Sequence, residues 1–407
     1  MKRYVIVGNG TAGASAVGEI RARDKDGSIV VFTGEKHPYY YRPRLADYIA
    51  GEAGPEKFTM HSLSQYEKWN VDLRLGETVT AIDPVKKEAH SGRLDKPGEK
   101  PEPVQYDELL LATGSHCFLP PVKGNDKLGV FTLRTLEDAD AIIAAAKKTG
   151  TAVLVGGGLL GLEAGRALIS LGLKVEMVEY APRLLPNQLD GESAKLLQKE
   201  LEETGFSFHL AAGAREITGG DAVTGLTLAD GTTIDCGLAL FSTGVRPNLE
   251  LALSAGLDVG KAVKVDRHMK TGVPGIWAAG DVAEFNGQPC GIWPTAMTQG
   301  KIAGASMAGE PREYVPVAPG FSLKVAGIEL VSAGNIDAEN TGTSKRFASG
   351  KVYRKVVLEE DVIKGIIFLG STAGAKECIA AMNRGRRLGP LAEELDREAF
   401  DWTRIKD

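Results

Sequence analysis

Two stretches of this chain impose the same local pattern: an apolar strand, a glycine turn, then a helix rich in small residues. One is "YVIVGNGTAGASAVGEIRAR" at residues 4–23; the other is "VLVGGGLLGLEAGRALISLGLKVEMVEY" at residues 153–180. Their turns, Gly8-Asn9-Gly10-Thr11-Ala12-Gly13 and Gly156-Gly157-Gly158-Leu159-Leu160-Gly161, both read G-x-G-x-x-G. The first glycine permits the tight turn, the second lets a pyrophosphate reach the backbone, and the third lets helix pack on strand. The pyrophosphate then rests on unpaired N–H groups at the positive end of the helix. A lone match is weak, but each turn here follows a strand and opens a helix, which is the context the motif requires. The chain is therefore expected to bind two dinucleotides.

The pattern also calls for an acid about 20 residues on, to meet the ribose hydroxyls. Glu179 ends the strand "KVEMVE" at the expected place in the second unit. A carboxylate there repels a 2′-phosphate, so NADH is expected over NADPH. Arg183 works against this, since an arginine can receive that phosphate. In the first unit Glu35 is the best acid, slightly late.

At 407 residues the chain exceeds one compact core. The net charge of -5 argues against nucleic-acid binding, which wants a basic footprint. No apolar run approaches the ~18 residues of a membrane span, and Met-Lys-Arg leads straight into a strand. A cytoplasmic protein without a signal peptide is the expectation. The four cysteines, Cys117, Cys236, Cys290 and Cys378, are scattered, with no metal-ligand or CxxC spacing. No metal is expected.

Along the chain, residues 37–59 read as irregular and "SLSQYEKW" as a short helix. Residues 71–91 alternate like a β-meander, and "YDELLLATGS" reads as a buried strand ending in a turn. "LEDADAIIAAAKKTG" and "GESAKLLQKELEETG" have helical periodicity, as does "TAMTQGKIAGASMAG". From Val315 the texture changes to alternating strands and a helical tail.

The order of "GNGTAG", "LLLATGS" at 109–115, "GGGLLGLE", "FSTGVRPN" at 241–248 and "GIWAAGDVAEF" at 275–285 resembles the FAD-dependent pyridine nucleotide–disulfide oxidoreductases, over essentially the whole chain. The resemblance implies an α/β, glutathione-reductase-like fold: two Rossmann-like dinucleotide-binding domains plus a small α+β C-terminal domain. It implies an FAD-binding domain split between 1–113 and 242–314, an inserted NAD(H)-binding domain at 114–241, and an α+β interface domain at 315–407. The internal glycine turn is then the nicotinamide site.

For FAD the resemblance implies Gly8, Gly10, Thr11, Ala12, Gly13 and Glu35. It adds the "ATG" residues Ala112, Thr113 and Gly114, then Gly280 with Asp281, which would take the ribityl chain or cap a helix. Trp293, Thr295 and Ala296 would lie by the isoalloxazine. For NAD it implies Gly156, Gly158, Leu159, Leu160, Gly161, Glu179 and Arg183, with Thr243 and Gly244 at the second crossing. Glu163 would face the flavin–nicotinamide junction.

Relatives that reduce disulfides or peroxides carry cysteine after the first βαβ unit. This chain has "YYYRPRLADYIAG" there and no cysteine before residue 117. That stretch resembles the "RP-x-L" segment of NADH:rubredoxin reductases and of the FAD portion of NAD(P)H nitrite reductases, with ferredoxin reductases next. In the last group a lysine two residues after the leucine lies against the flavin; here Asp47 stands instead. Arg42, Pro43 and Arg44 are then the FAD neighbours, with one arginine as the cation.

The expected function is FAD-dependent NADH oxidation that passes hydride to FAD and then single electrons to a small rubredoxin- or ferredoxin-type carrier, without a redox disulfide. "NRGRR" (Arg384, Arg386, Arg387) is one candidate basic patch for an acidic carrier, though a solvated helix end explains it too. Alternatives are a detached reductase subunit of a nitrite-reductase system, an NADH oxidase or diaphorase, and an NADH-responsive sensor. A monomer or homodimer is expected.

Overall fold

The computed structural model describes residues 1–406 apart from 97, 100, 317–319 and 326. The chain divides into two compact units. One comprises Met1–Arg44, Ala53–Cys117 and Val245–Pro316; the other comprises Leu45–Glu52, Phe118–Gly244 and the C-terminal segment from Gly320 onward.

The first unit is built on an eight-stranded sheet. Its central strand Arg3–Val7 pairs in parallel with Ser28–Thr33 on one side and Glu108–Leu111 on the other, and Ile276–Ala278 extends the latter in parallel. Alternate residues of one strand feed opposite cores: Tyr4 and Ile6 belong to one buried cluster, Val5 and Val7 to another. A strand covered on both faces reads as a continuous apolar run, which is why "YVIV" shows no alternation.

On one face the helix Thr11–Arg23 packs on the helix Trp293–Met307. The contact is close because it is made of small residues. A Cβ on Gly300 would overlap the Ala12 backbone, and one on Gly304 would press on Ala16.

Three local expectations change. Residues 37–59 are not wholly irregular, because Leu45–Ile49 forms a short helix with Leu45, Ala46 and Ile49 buried. Residues 71–91 are not one meander: Val71–Leu75 pairs in parallel with Ser28–Thr33, and only then do Glu77–Asp83 and Glu88–Arg93 form an antiparallel hairpin. Gly76, at φ 69°, turns the chain between them. The third helix starts at Trp293, two residues early, because Pro294 suits a first turn where N–H groups have no partner.

The second unit holds two sheets. Phe206–His209, Lys174–Val178, Thr151–Val155, Leu238–Phe241 and Val130–Thr132 form a five-stranded parallel sheet in that order. Its helices begin where the periodicity places them: Leu136–Ala146 opens on a Thr135/Asp138 capping box, and Gly191–Glu202 is capped by Asp190. The C-terminal sheet is five-stranded and antiparallel, and the helix Ala375–Arg384 shares its apolar core. Asp190 and Lys355 are fully buried, 3.5 Å apart, and Tyr353 donates its hydroxyl to Asp190 at 2.6 Å.

Overpacking one close helix contact should cost about 1–3 kcal/mol. Gly300→Ala should therefore lower the denaturant midpoint clearly, whereas Gly191→Ala, which meets open space at the start of its helix, should leave it nearly unchanged. Equal effects of the two changes in a urea titration would contradict the packing argument.

Candidate functional site

Gly8 takes φ 110°, and a Cβ there would overlap the Ala112 carbonyl; a Cβ on Gly13 would overlap the Gly8 carbonyl. Gly10 differs. It faces open space and starts the helix with extended backbone and no side-chain cap. The first-turn N–H groups of this helix have no intrahelical acceptor, and a pyrophosphate supplies one. Asn9 adds a buried donor: its Oδ1 accepts from Tyr66 at 2.7 Å, while its Nδ2 is buried with no partner. Such an orphan is uncommon unless a bound group completes it.

Around this turn, Thr11 accepts from the Tyr39 hydroxyl at 3.3 Å, and Trp293 Nε1 donates to the same hydroxyl at 3.2 Å. Trp293 also meets Tyr41 edge-on at 5.1 Å. Arg42 pairs with Glu35, which also accepts from Tyr40, and the guanidinium lies over the Tyr40 ring. Glu35, Tyr39 and Arg42 line a pocket with Asn9 and Gly10. Arg44 is half-buried and Pro43 exposed.

The "ATG" and "GD" motifs meet the same helix. Gly280, at φ 83°, donates its N–H to Gln299 at 2.9 Å, and a Cβ there would press on Ala12 and approach Ala296. Ala12, Gly280 and Ala296 are thus together, with Thr295 beside them in the first turn of its helix. Asp281 accepts from Ser115 at 2.6 Å. No helix opens at Asp281 (Ala283–Phe285 is a strand), so the helix-capping alternative is wrong. Thr113 and Gly114 are held by Asn248, whose side chain donates to the Thr113 carbonyl at 2.8 Å and whose N–H donates to Gly114 at 3.0 Å. This open turn, its orphan donor and the aromatic wall fit FAD.

The second turn repeats the first. Gly156 has φ 113°, and a Cβ there would overlap the Ser242 carbonyl; one on Gly161 would overlap the Gly156 carbonyl. Gly158 faces open space and starts Leu159–Ser170 without a side-chain cap. Leu159 is half-buried and Leu160 is 58% exposed beside it. Glu179 accepts from the Gly157 N–H at 2.6 Å and the Ala181 N–H at 2.7 Å, and a carboxylate retains further lone pairs for ribose hydroxyls. Arg183 pairs with Glu339 at 3.0 Å. Thr243 donates to the Phe118 carbonyl at 2.5 Å, and Gly244, at φ 90°, accepts from the Phe118 N–H. These residues fit a nicotinamide dinucleotide.

Glu163 lies half-buried in the second turn of Leu159–Ser170. Burial, then the Asp47 charge, push its carboxyl up to about 7, against the opposing pull of Arg166. Asp47 is held by Arg166 at 3.2 Å, and Arg166 also pairs with Glu52. Sequence reasoning missed Asn9, Tyr39, Ser115 and Arg166. Each sits inside or one turn from a quoted motif, but nothing in the sequence distinguishes an orphan donor from a satisfied one.

The "NRGRR" stretch is engaged locally. Arg387 pairs with Glu360 at 2.7 Å, and Arg384 and Arg386 donate to the carbonyls of Lys406 and Arg404. Among the described residues no cluster of three His, Cys, Asp or Glu suits a metal, and no helix is long and apolar enough to cross a membrane.

Residues 2–300 match the family model "Pyridine nucleotide-disulphide oxidoreductase", and residues 319–386 match "Rubredoxin NAD+ reductase C-terminal domain". The chain is 37% identical over 376 residues to nitrite reductase [NAD(P)H] of Bacillus subtilis, covering 91% of this chain and 46% of that enzyme. It is 31% identical over 373 residues to NADH-rubredoxin oxidoreductase of Clostridium acetobutylicum, covering 91% and 92%. A crystal structure of NADH:rubredoxin oxidoreductase from C. acetobutylicum superposes with a TM-score of 0.79 at 27% identity over 96% of this chain and 97% of that one. The chain spans less than half the length of the nitrite reductases it matches. The match across both glycine turns, on the fold just described, means that the chain belongs to the pyridine nucleotide-disulphide oxidoreductase family, as an oxidoreductase that uses FAD and NAD(H).

Proposed function

We propose that the protein oxidises NADH through FAD and passes the electrons one at a time to a small rubredoxin- or ferredoxin-type carrier, with no thiol relay. The observation that carries this reading is chemical. Where relatives that reduce disulfides have cysteine, this chain presents Tyr39, Tyr40 and Arg42, with Trp293 donating to the Tyr39 hydroxyl. Three of its four cysteines are buried, Cys236 and Cys290 with thiols pushed up to about 11 and about 12 and Cys378 pushed up further, while Cys117 is half-buried and forms no disulfide. Thiols held so far above neutrality carry almost no thiolate, the form that exchanges electrons. A relative of matching length, named for rubredoxin, supports the same acceptor class.

In this reading residues 1–113 and 242–314 form the FAD-binding domain, 114–241 the NAD(H)-binding domain and 315–407 an interface domain. Gly10–Gly13 and Asn9 hold the FAD pyrophosphate, Asp281 with Ser115 the ribityl chain, and Trp293 borders the ring. Gly158–Gly161 and Glu179 hold NADH. When bound, FAD would supply the chemistry that accepts a hydride and gives up electrons singly. The chain contributes orientation, water exclusion and charge, and Glu163 supplies a carboxyl poised to hold a proton near neutral pH. The likeness to nitrite reductase favours one second reading, a reductase component of a nitrite-reducing system.

NADH oxidation by the FAD-loaded protein should be much faster with rubredoxin or ferredoxin than with oxygen. A rate with these carriers no higher than that with oxygen would sink the carrier reading, while activity only with a sirohaem-bearing partner would favour the second.

Glu163 also makes stability pH-dependent. A carboxyl raised to about 7 binds its proton more tightly folded than unfolded. It therefore favours folding below the ordinary carboxylate range and loses that contribution as pH rises through about 7. Glu163→Gln should gain stability relative to the parent between about pH 5 and 8. It should also remove an ionisation near pH 7 from the NADH-oxidation profile. A profile unchanged by the substitution would take Glu163 out of the proton chemistry.

A further inference from the structure

We propose that Glu339 is a positioning residue for coenzyme choice: it holds Arg183 in an ion pair and so withholds a cation that could receive a coenzyme 2′-phosphate. The inference rests on reading Gly156–Gly161 and Glu179 as the nicotinamide-dinucleotide site.

Arg183 stands four residues beyond Glu179, in a segment that folds back onto the turn. Leu185 donates to the Gly157 carbonyl at 3.4 Å, and a Cβ on Gly157 would meet both Leu184 and Glu179. The backbone segment that carries Arg183 is thus folded against the turn and the acid that meets the ribose. Its Nη2 is engaged by Glu339 at 3.0 Å and by the Pro186 carbonyl at 3.5 Å, while its Nε is buried with no partner. This guanidinium has donor capacity left over, and phosphate is the ligand that a planar fork of donors matches best.

Glu339 comes from the loop between the strands Ile328–Gly334 and Thr343–Ser349 of the C-terminal sheet. Its side chain is 74% exposed, and a single exposed ion pair is ordinarily weak. Here the loop that carries it is fixed. Asp337 and Asn340 take left-handed backbone at φ 46° and 57°. The Asp337 carboxylate accepts from the Thr341 N–H and hydroxyl and from the Gly342 N–H at 2.9–3.0 Å. Lys355, fully buried, donates to the Asp337 carbonyl at 2.6 Å and to Asn340 Oδ1 at 2.7 Å.

The same ammonium lies 3.5 Å from Asp190, which caps Gly191–Glu202 through Ser193 and accepts from Tyr353. Asp190 follows Arg183 by seven residues. One buried charged cluster therefore anchors both the loop that bears Glu339 and the segment that bears Arg183, so little loop freedom is lost when the pair forms. Two carboxylates then act against a 2′-phosphate in different ways. Glu179 repels the anion, and Glu339 occupies its cation.

The test measures binding, so it does not depend on flavin chemistry. Dissociation constants for ADP-ribose and 2′-phospho-ADP-ribose are determined by calorimetry on the full FAD-loaded chain, for the parent, E339Q, E339K, R183A and E339Q/R183A. E339Q should tighten the 2′-phosphorylated probe about three- to fivefold relative to ADP-ribose, the size expected of one surface pair. E339K should shift the ratio in the same direction, and the E339Q gain should vanish in E339Q/R183A. An unchanged ratio in both Glu339 single variants, or a gain that survives R183A, overturns the role of Glu339. A parent protein that binds neither probe overturns the reading of the site, and the inference with it.

Discussion

The contact on which the structure depends is backbone against backbone, made twice. In the first unit the Gly8 turn lies on Ala112, and in the second the Gly156 turn lies on Ser242. Neither approach leaves room for a Cβ, and both glycines take positive φ, so the constraint is steric and conformational together. Once the strand crossing is that close, the helix after the turn must start with its N–H groups facing outward. Gly10 and Gly158 then open onto space that a pyrophosphate can occupy. The phosphate-binding geometry is thus a consequence of how strand, turn and neighbouring strand pack.

Much of this was legible in the sequence because glycine requirements are written in residue type. The two turns and the long amphipathic helices Leu136–Ala146 and Gly191–Glu202 could all be read from pattern. What was not legible depends on tertiary partners. Val71–Leu75 alternates like a meander strand, yet pairs in parallel with Ser28–Thr33, since alternation reports burial and not direction. The helix Leu45–Ile49 is five residues long, too short for periodicity to show. Asp281 follows a glycine, which suits a cap, but it accepts from Ser115, a partner 166 positions away in sequence.

The charged groups tell a similar story. Glu179 could be named from its place after the second strand, but its two backbone donors could not. Asp47 reads in sequence as a missing lysine. In the fold burial raises the Glu163 carboxyl towards neutrality and the Asp47 charge adds to it, Asp47 itself being held by Arg166. Coupled charges of this kind belong to no single motif, and they set which protons the chain can hold at working pH.

The central claim is that flavin alone, with no thiol centre of the chain, carries electrons between NADH and the acceptor. Anaerobic titration of the FAD-loaded protein with NADH, followed by flavin absorbance and by counting free thiols, tests it most directly. The account predicts complete bleaching at one NADH per FAD, with the same thiol count before and after. Uptake of a second equivalent, accompanied by newly titratable thiols, would contradict it.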